Sequence, residues 1–294
     1  MSERLVGIVT ASDDFGVSRW QAVTGDGSAA GVAGLRPGIP FRPSLVMPPF
    51  REPPSSREAP SEVSLHVAAE WRNRGIGSRL LAAVREQAAG RLLAADVTEG
   101  TPEEALYRRH GFQPAGLRRH DLLTYCDVHQ AWVSELVDDE HPGYRLADWS
   151  GAILDAPAIA DVLDDPNRLG HAVQVAADAD GDLAAYATVV VGPPWQRRAL
   201  QYGPAVLAAH RGHGLGRWVS AALIQRLREI HPHVDEIQTA TADDDLGLIA
   251  LRGQLGFRFL RRTRRYAAPG ALTGTGAAGS VTRVGHASRF GPDP

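Results

Sequence analysis

Two stretches of the chain, about 140 residues apart, carry the same succession of apolar and polar positions. In the first, residues 63–67 alternate between apolar and polar, as in a half-buried strand, and an amphipathic helical stripe follows over 76–89. In the second, apolar residues at 205–207 precede a helical pattern over 215–230. Such a period is too long for a solenoid, so the pattern predicts two copies of one domain.

Shorter apolar segments complete each copy. In the first copy the predicted strands are 20–23, 29–35, 92–97 and 117–125, and a helix begins after Thr101 and stops at Gly111. In the second copy the predicted strands are 144–149, 172–177, 183–191, 236–240 and 257–266, and the predicted helices are 157–163 and 243–255. Each copy thus has three strands, a helix, a strand, a helix and a strand, which predicts an α/β fold of the α+β type with a mixed sheet.

The composition of the segments between these elements predicts the domain boundaries. An N-terminal domain at 1–126, with a shortened start, precedes an acidic linker at 127–142 and a C-terminal domain at 143–268. Residues 37–60 are rich in Pro, Ser and Arg, which predicts an exposed loop. Residues 269–294 are rich in Gly, Ala and Ser with little to bury, which predicts a disordered tail.

The composition narrows the classes of protein and of site. The chain has 294 residues, 44% of them hydrophobic, and a net charge of −3, which is typical of a soluble globular protein and gives no reason to expect nucleic-acid binding. It contains Arg but no Lys, so a catalytic or Walker-type lysine is excluded. Cys126 is the only cysteine, and neither a signal peptide nor a membrane-spanning run is evident. We therefore expect a cytoplasmic protein with no membrane partner, and no metal, because no side-chain cluster has metal-ligand spacing.

One hexapeptide motif, Arg-x-x-Gly-x-Gly, lies between the strand and the helix of each copy. It reads Arg72-Asn73-Arg74-Gly75-Ile76-Gly77 in the first copy and Arg211-Gly212-His213-Gly214-Leu215-Gly216 in the second. Two glycines at this spacing let the backbone turn tightly and direct consecutive N–H groups at one point, where the following helix adds the positive end of its dipole. The motif therefore predicts a pyrophosphate site that needs no lysine. A turn with a purely structural role is the alternative.

The strand before, the helix after and the recurrence of the motif favour binding over a bare turn. The motif is not the Rossmann fingerprint, because the third glycine is missing, and it is not a P-loop. The predicted binding residues of the two loops are Arg72, Asn73, Arg74, Gly75, Ile76, Gly77 and Ser78 in the first copy and Arg211, Gly212, His213, Gly214, Leu215, Gly216 and Arg217 in the second.

Both hexapeptides match the acetyl-CoA signature Gln/Arg-x-x-Gly-x-Gly/Ala of the GNAT superfamily of acyl-CoA-dependent N-acetyltransferases. The later endings His110-Gly111-Phe112 and Leu255-Gly256-Phe257 are also typical of that family. The chain resembles a tandem, two-domain GNAT protein of the actinobacterial type. The resemblance covers most of residues 20–125 and 143–266 and implies acetyl-CoA, or another short acyl-CoA, as the cofactor.

The resemblance implies direct attack of an amine on the thioester, without an acyl-enzyme. In this family the strand before the loop diverges from its neighbour, and the pantetheine arm pairs with its free backbone groups. Val67 and Val206 lie at the matching positions, five residues before each motif arginine. Their N–H groups are candidates to polarise the thioester carbonyl, in an oxyanion-hole role.

The resemblance also assigns a candidate acid. Tyr107 occupies the position at which a family tyrosine protonates the CoA thiolate, and the alternative is a ring that packs on the sheet. The second copy has Arg252 there, which could neutralise the thiolate, contact a phosphate or lie in solvent. We therefore expect the first copy to be catalytic and the second to bind CoA or support the fold. The shortened start of the first copy, where relatives place much of the acceptor pocket, argues the other way.

Glu62, at the start of the strand before the first loop, is the leading candidate for the general base, and Glu99 is second. Both could instead be surface carboxylates, and strand alternation could direct Glu62 away from the site. Tyr202, before the second loop, could contact an acceptor or simply pack. Five arginines on the last strand could guide CoA phosphates, an acidic acceptor or a carrier protein, or form a solvated strand face: Arg258, Arg261, Arg262, Arg264 and Arg265.

The expected protein is an N-acetyltransferase that acts on a small-molecule amine, either a metabolite or an antibiotic-type acceptor, as a monomer or homodimer. One alternative is a scaffold or regulator that binds CoA without turnover. The other is an acyltransferase that modifies a carrier protein or peptide.

Overall fold

The computed structural model describes residues 7–12, 18–36, 60–152, 171–192 and 194–269. The strands are β1 (Gly7–Ser12), β2 (Ser18–Val23), β3 (Ala29–Arg36), β4 (Ser61–Val67), β5 (Leu92–Val97), β6 (Gln113–Thr124), β7 (Arg145–Ala152), β8 (His171–Ala179), β9 (Asp182–Val191), β10 (Arg198–Val206), β11 (Glu236–Ala242) and β12 (Arg258–Pro269). The α-helices are α1 (Ile76–Ala88), α2 (Pro102–Arg109), α3 (Gln130–Asp138), α4 (Leu215–Ile230) and α5 (Leu246–Gln254). None of these helices is long and apolar enough to cross a membrane.

The predicted mixed sheet and the predicted elements that fall on described residues are confirmed, with ends that shift by a few residues. Helix α2 begins at Pro102 as predicted, because the Thr101 side chain accepts a hydrogen bond from the Glu104 N–H at 3.4 Å. The predicted helix at 157–163 lies outside the described residues. So do the predicted loop at 37–60 and the tail at 269–294, apart from residues 60 and 269.

Nine residues of the predicted linker form helix α3. Val133 and Leu136 of this helix are buried in the same core as α4. The Trp218 indole of α4 donates a hydrogen bond to the Val137 carbonyl at 2.9 Å. The linker is therefore packed against the second half of the molecule along this helix.

The strands form one mixed sheet in the order β1-β2-β3-β4-β5-β12-β6-β11-β10-β9-β8-β7. The last strand of each half lies inside the other half: β12 pairs with both β5 and β6, and β6 pairs with both β12 and β11. All of these central pairings are antiparallel. The two copies have thus exchanged their final strands, and the sheet continues across the junction without an edge.

Because of the exchange, each of the two hydrophobic cores contains residues from both copies. Leu123 of β6 belongs to the first copy by sequence, yet it is fully buried in the core around α4. Tyr266 and Ala268 of β12 belong to the second copy, yet they are buried in the core around α1. Because apolar burial is the main source of stability, neither half completes its core without a strand from the other.

In each half, the strand before the hexapeptide separates from its parallel neighbour. Strand β4 pairs with β5 only at Ser61 and Glu62, although it continues to Val67. Strand β10 pairs with β11 only over 198–201, although it continues to Val206. Both strands therefore end at a gap in the sheet, where their backbone groups have no partner strand in the part of the chain that the structure describes.

We predict that Leu123→Ala destabilises both halves together. Deleting a buried leucine side chain costs about 2–5 kcal/mol, and here the cavity lies on a strand that both halves share. Chemical denaturation should show a lower free energy of unfolding in a single transition. Hydrogen exchange should accelerate in α1 as well as in α4.

The matched control is Leu92→Ala on β5, because the Leu92 side chain is half-exposed. Its free energy of unfolding should stay within about 0.5 kcal/mol of the unmodified chain. Faster exchange in α4 alone would contradict the shared unfolding of the two halves.

Candidate active site

The two hexapeptide loops adopt the same backbone conformation. Gly75 has φ 75° and ψ 0°, and Gly214 has φ 74° and ψ −2°, so both lie in the left-handed region that favours glycine. Asn73 and Gly212 also have positive φ, at 60° and 86°. Helices α1 and α4 begin immediately after these glycines, and neither helix start receives a side-chain cap. Free N–H groups at an uncapped helix start form a site for an anion.

The last glycine of each motif is needed for close packing. A Cβ on Gly77 would lie 3.0 Å from Leu106 Cδ2 of α2, and a Cβ on Gly216 would lie 3.2 Å from Leu251 Cδ1 of α5. Val206 is also close, at 3.3 Å from the Gly216 position. The loop, the strand before it and the following helix therefore meet at a point where only glycine fits comfortably.

Each motif arginine holds the end of the strand before its loop. Arg72 Nε donates to the Val67 carbonyl at 3.1 Å, and Arg211 Nε donates to the Val206 carbonyl at 3.4 Å. The next N–H along each chain, of Ala68 or Leu207, bonds to the outer neighbouring strand. Because successive N–H groups of a strand point to opposite sides, the N–H groups of Val67 and Val206 point into the gaps left by β5 and β11.

The first loop borders an open groove of about 430 Å³. Most of the predicted loop residues line it: Val67, Arg72, Asn73, Gly75, Ile76, Gly77 and Ser78. Arg74 does not line it, and its guanidinium lies over the Trp71 ring at 4.9 Å. The opposite wall is helix α2, which contributes Leu106 and Arg109. The groove is thus an uncapped helix start beside a free strand edge, a shape that suits an extended ligand with an anionic end.

The second loop is contacted by the chain's own linker. His141 Nδ1 lies 3.1 Å from the His213 carbonyl oxygen, and its Cε1 lies 3.3 Å from where a Cβ of Gly214 would be. Arg217 Nη2 lies 3.9 Å from the Asp139 carboxylate. The predicted residues Arg211, Gly212, His213 and Gly214 are exposed, whereas Leu215 and Gly216 are buried. The two loops therefore share a backbone but differ in their surroundings.

Family comparisons agree with this geometry. Residues 52–114 match the acetyltransferase (GNAT) domain, and residues 130–257 match the acetyltransferase (GNAT) family. The chain belongs to the GNAT acetyltransferases. It carries two GNAT domains in tandem, and each match contains one of the two hexapeptides.

Solved structures share the fold of this tandem GNAT chain. A tandem GNAT protein from the clavulanic acid biosynthesis pathway has a TM-score of 0.57 and 24% identity, covering 89% of this chain and 85% of that one. A GCN5-related N-acetyltransferase from Sphaerobacter thermophilus has a TM-score of 0.50 and 12% identity, covering 85% of this chain and 80% of that one. No curated protein matches the sequence significantly.

Tyr107, the candidate acid of the first GNAT domain, lies in the core. Its side chain is 1% exposed and meets the Phe112 ring edge-on at a centroid distance of 4.9 Å. Burial raises the pKa of the Tyr107 phenol, and nearby Glu103 adds to the rise. Leu106, the preceding residue, lines the groove, whereas Tyr107 is not part of its wall. The phenol therefore stays protonated at neutral pH but is a weaker acid than a free tyrosine.

Arg252, at the matching position of the second domain, is buried, so its interpretation as a solvated residue is wrong. Its Nη2 donates to the carbonyls of Gly203 and Ala240 at 3.3 and 3.4 Å, and its Nη1 lies 3.8 Å from Asp121 of the exchanged strand β6. Burial lowers the pKa of Arg252 to about 10. The side chain thus connects β10, β11 and β6 at the diverging strands of the second half.

Glu62, the candidate base, points to the face of the sheet opposite the groove. It lines a second cavity of about 460 Å³, and its carboxylate lies 3.7 Å from Arg265 Nη1. Glu99 is instead paired with Arg264, whose Nε donates to it at 2.6 Å. His120, Arg118 and Gln201 of this cavity were not among the predicted site residues. The local sequence pattern indicates little about these residues, because the exchange of β6 is what brings His120 and Arg118 close to Gln201.

His120 lies at the centre of the exchanged strands. Its side chain is 5% exposed, its Nε2 lies 2.8 Å from Thr263 Oγ1 of β12, and its Nδ1 has no hydrogen-bond partner among the described residues. Burial lowers the pKa of His120, and the positive charge of Arg261 adds to the effect. Below about pH 6.5, the ordinary pKa of histidine, His120 therefore takes up a proton more readily in the unfolded chain than in the folded chain.

We predict that His120→Gln makes stability less dependent on pH. In the unmodified protein, neutral His120 contributes fully to the free energy of unfolding above about pH 6.5. This contribution is lost as the pH falls, by at most about 1.4 kcal/mol per pH unit. The variant should therefore lose less free energy of unfolding between pH 7.5 and 5.5 in denaturant titrations. The control is His66→Gln, at an exposed histidine on β4, which should keep the original slope. Equal slopes for both variants would contradict the role given to burial.

Proposed function

We propose that this chain is an acyl-CoA-dependent N-acetyltransferase that moves an acetyl or other short acyl group directly to the amine of a small metabolite or antibiotic-type acceptor. The observation that carries the proposal is the groove of the first domain, where an uncapped helix start and a free strand edge meet. Membership of the GNAT family supports the reaction class.

The residues of the groove fit acetyl-CoA, which supplies an activated acyl thioester. The N–H groups of the loop and of the first turn of α1 would hold the pyrophosphate, because that helix start has no side-chain cap. The unpaired edge of β4 would bond the amide groups of the pantetheine arm. The Val67 N–H, which points into the gap, would donate to the thioester carbonyl oxygen and stabilise its developing charge.

Transfer is proposed at the first domain, with a supporting role for the second. The first loop faces an open groove, whereas His141 and Asp139 of the linker lie against the second loop. Tyr107 is the proposed donor to the CoA thiolate and is protonated at neutral pH, but its raised pKa and its buried position behind the groove wall limit its contribution. Glu62 is the proposed base and lies on the far side of the same strand.

We predict that Gly75→Ala and Gly214→Ala have unequal effects on turnover. Both glycines have nearly the same positive φ, so alanine introduces the same backbone strain of about 1–2 kcal/mol at each. Gly75→Ala should lower kcat/KM for acetyl-CoA by roughly tenfold or more, and Gly214→Ala by less than about twofold. CoA release across an amine panel measures both values. A larger loss in Gly214→Ala would move the reaction to the second domain.

Native mass spectrometry of the same two variants separates the rival functions. Loss of bound acetyl-CoA in Gly75→Ala supports the proposed cofactor loop. Tight acetyl-CoA binding in the unmodified chain without CoA release from any amine would favour the scaffold or regulator. A mass shift on a protein or peptide partner would favour the carrier-directed acyltransferase.

We further predict that Tyr107→Phe lowers kcat by roughly tenfold, below the usual 10²–10⁴-fold contribution of a general acid, because the buried phenol is a weak donor. The KM for acetyl-CoA should not change. The matched variant Arg252→Met should lower thermal stability, since Arg252 joins three strands, but should leave kcat per folded molecule unchanged. Loss of kcat in Arg252→Met alone would contradict the assignment.

A further inference from the structure

The cavity that contains Glu62 is built by both halves of the chain. It lies on the sheet face opposite α1, because Glu62 and Ser64 alternate with Val63 and Val67, which pack in the α1 core. Strands β4 and β10 both line it, although they lie five positions apart in the sheet, about 24 Å at the usual strand spacing. The sheet therefore curls around this central cavity.

The central cavity adjoins the diverging strands of both domains. On β4, Glu62 and Ser64 line the central cavity, while Leu65 and Val67 line the groove beside the first loop, on the other face. The β4–β5 ladder ends at Glu62, so no ladder hydrogen bond closes the sheet between the two spaces beyond that point. Tyr202 and Gly203 line the cavity from the other side, just beyond the last β10–β11 pair.

The lining carries an excess of positive charge. Four arginines and two carboxylates contribute to it, a difference of two charges: Arg36, Arg118, Arg261, Arg265, Glu62 and Asp96. Arg265 Nη1 lies 3.2 Å from Asp96 and 3.7 Å from Glu62, and Arg118 Nε lies 3.8 Å from Asp96. Both carboxylates are thus already neutralised. Among the carboxylates that the structure describes, none forms an ion pair with Arg261.

Three buried polar atoms of the lining have no hydrogen-bond partner among the residues that the structure describes. They are Arg118 Nε, His120 Nδ1 and Gln201 Oε1, and the His120 and Gln201 side chains are 5% and 4% exposed. A buried polar atom without a partner is costly, and proteins rarely leave one unless something else bonds to it. Arg261 therefore suits the negatively charged end of a polar ligand, whereas the Gln201 Oε1 acceptor suits a hydrogen-bond donor such as an amine.

We propose that the central cavity is a single acceptor site shared by the two domains, and that it binds an amine that also carries a carboxylate, of the amino-acid or short-peptide class. Arg261 binds the carboxylate, and the amine lies at the β4 gap beside Glu62. The volume of about 460 Å³ is in the range of small-molecule sites. The inference rests on the proposed function, because it assigns the acceptor of that same reaction.

The transfer balances without any further reactant. The amine nitrogen forms a bond to the acyl carbon while the carbon–sulfur bond breaks, and CoA leaves as the thiolate. The neutral amine nitrogen gives up one proton to the Glu62 carboxylate, the thiolate takes one from the Tyr107 phenol, and solvent then carries one proton from Glu62 back to Tyr107. The product is a neutral amide that keeps its carboxylate at Arg261.

The test compares Arg261→Gln with Arg258→Gln. Both arginines lie on β12 and both are exposed, but Arg258 lies 3.7 Å from Asp127 and does not line the cavity. The probes are free amino acids and dipeptides, each paired with its carboxamide, which has the same size and amine but no negative charge. Calorimetry without acetyl-CoA measures binding at pH 8, and CoA release measures turnover.

The unmodified chain and Arg258→Gln should bind at least one acid roughly tenfold or more tightly than its amide, as expected for a charge-assisted pair. Arg261→Gln should lose that preference. Equal binding of acids and amides by the unmodified chain, including no binding of either, would overturn the inference, as would a preference that survives in Arg261→Gln.

The two readouts separate this inference from the proposed function. A binding preference that depends on Arg261, without CoA release, leaves the site standing and refutes the transferase. CoA release from acids and amides alike, unchanged in Arg261→Gln, leaves the transferase standing and refutes the acceptor site.

Discussion

The antiparallel pairing of β6 with β12 is the constraint on which the rest of the molecule depends. These two strands come from different domains, and each completes the sheet and the core of the other. The buried Arg252–Asp121 and His120–Thr263 contacts both cross this junction. The sequence therefore contains two separate GNAT domains, but the core of each is complete only when both are folded together.

The exchange also determines where the openings of the sheet lie. The strand ladders stop short at β4 and at β10, and the junction brings the two openings onto one curled face. The groove beside the first loop and the central cavity lie on opposite faces of β4, and in the proposed reaction they would hold the thioester and the amine. The linker makes the surroundings of the two loops differ, because among the described contacts of His141 the loop contact is with the second loop.

Local features were predictable from the sequence, because they depend on neighbouring residues. Glycine spacing indicated the tight turns at Gly75 and Gly214, and Thr101 with Pro102 indicated the start of α2. The partner of a strand is not a local property, so the alternation over β6 and β12 predicted strands without their exchange. The burial of Arg252 was missed for the same reason, since Asp121 comes from the other domain. Helix α3 had a usable signal in the helical spacing of Val133 and Leu136, but the acidic residues after it suggested a linker.

Joining two copies in one chain changes what a cavity at their junction can recognise. In a symmetric homodimer, every side chain at the axis would be duplicated, and a bound molecule would meet the same group at both ends. Here Glu62 on one wall corresponds to Gln201 on the other, both five residues before the last valine of their strands. The two ends of the cavity therefore differ, and a ligand with unlike ends has one preferred orientation. Gene fusion can in this way turn a doubled site into a directional one.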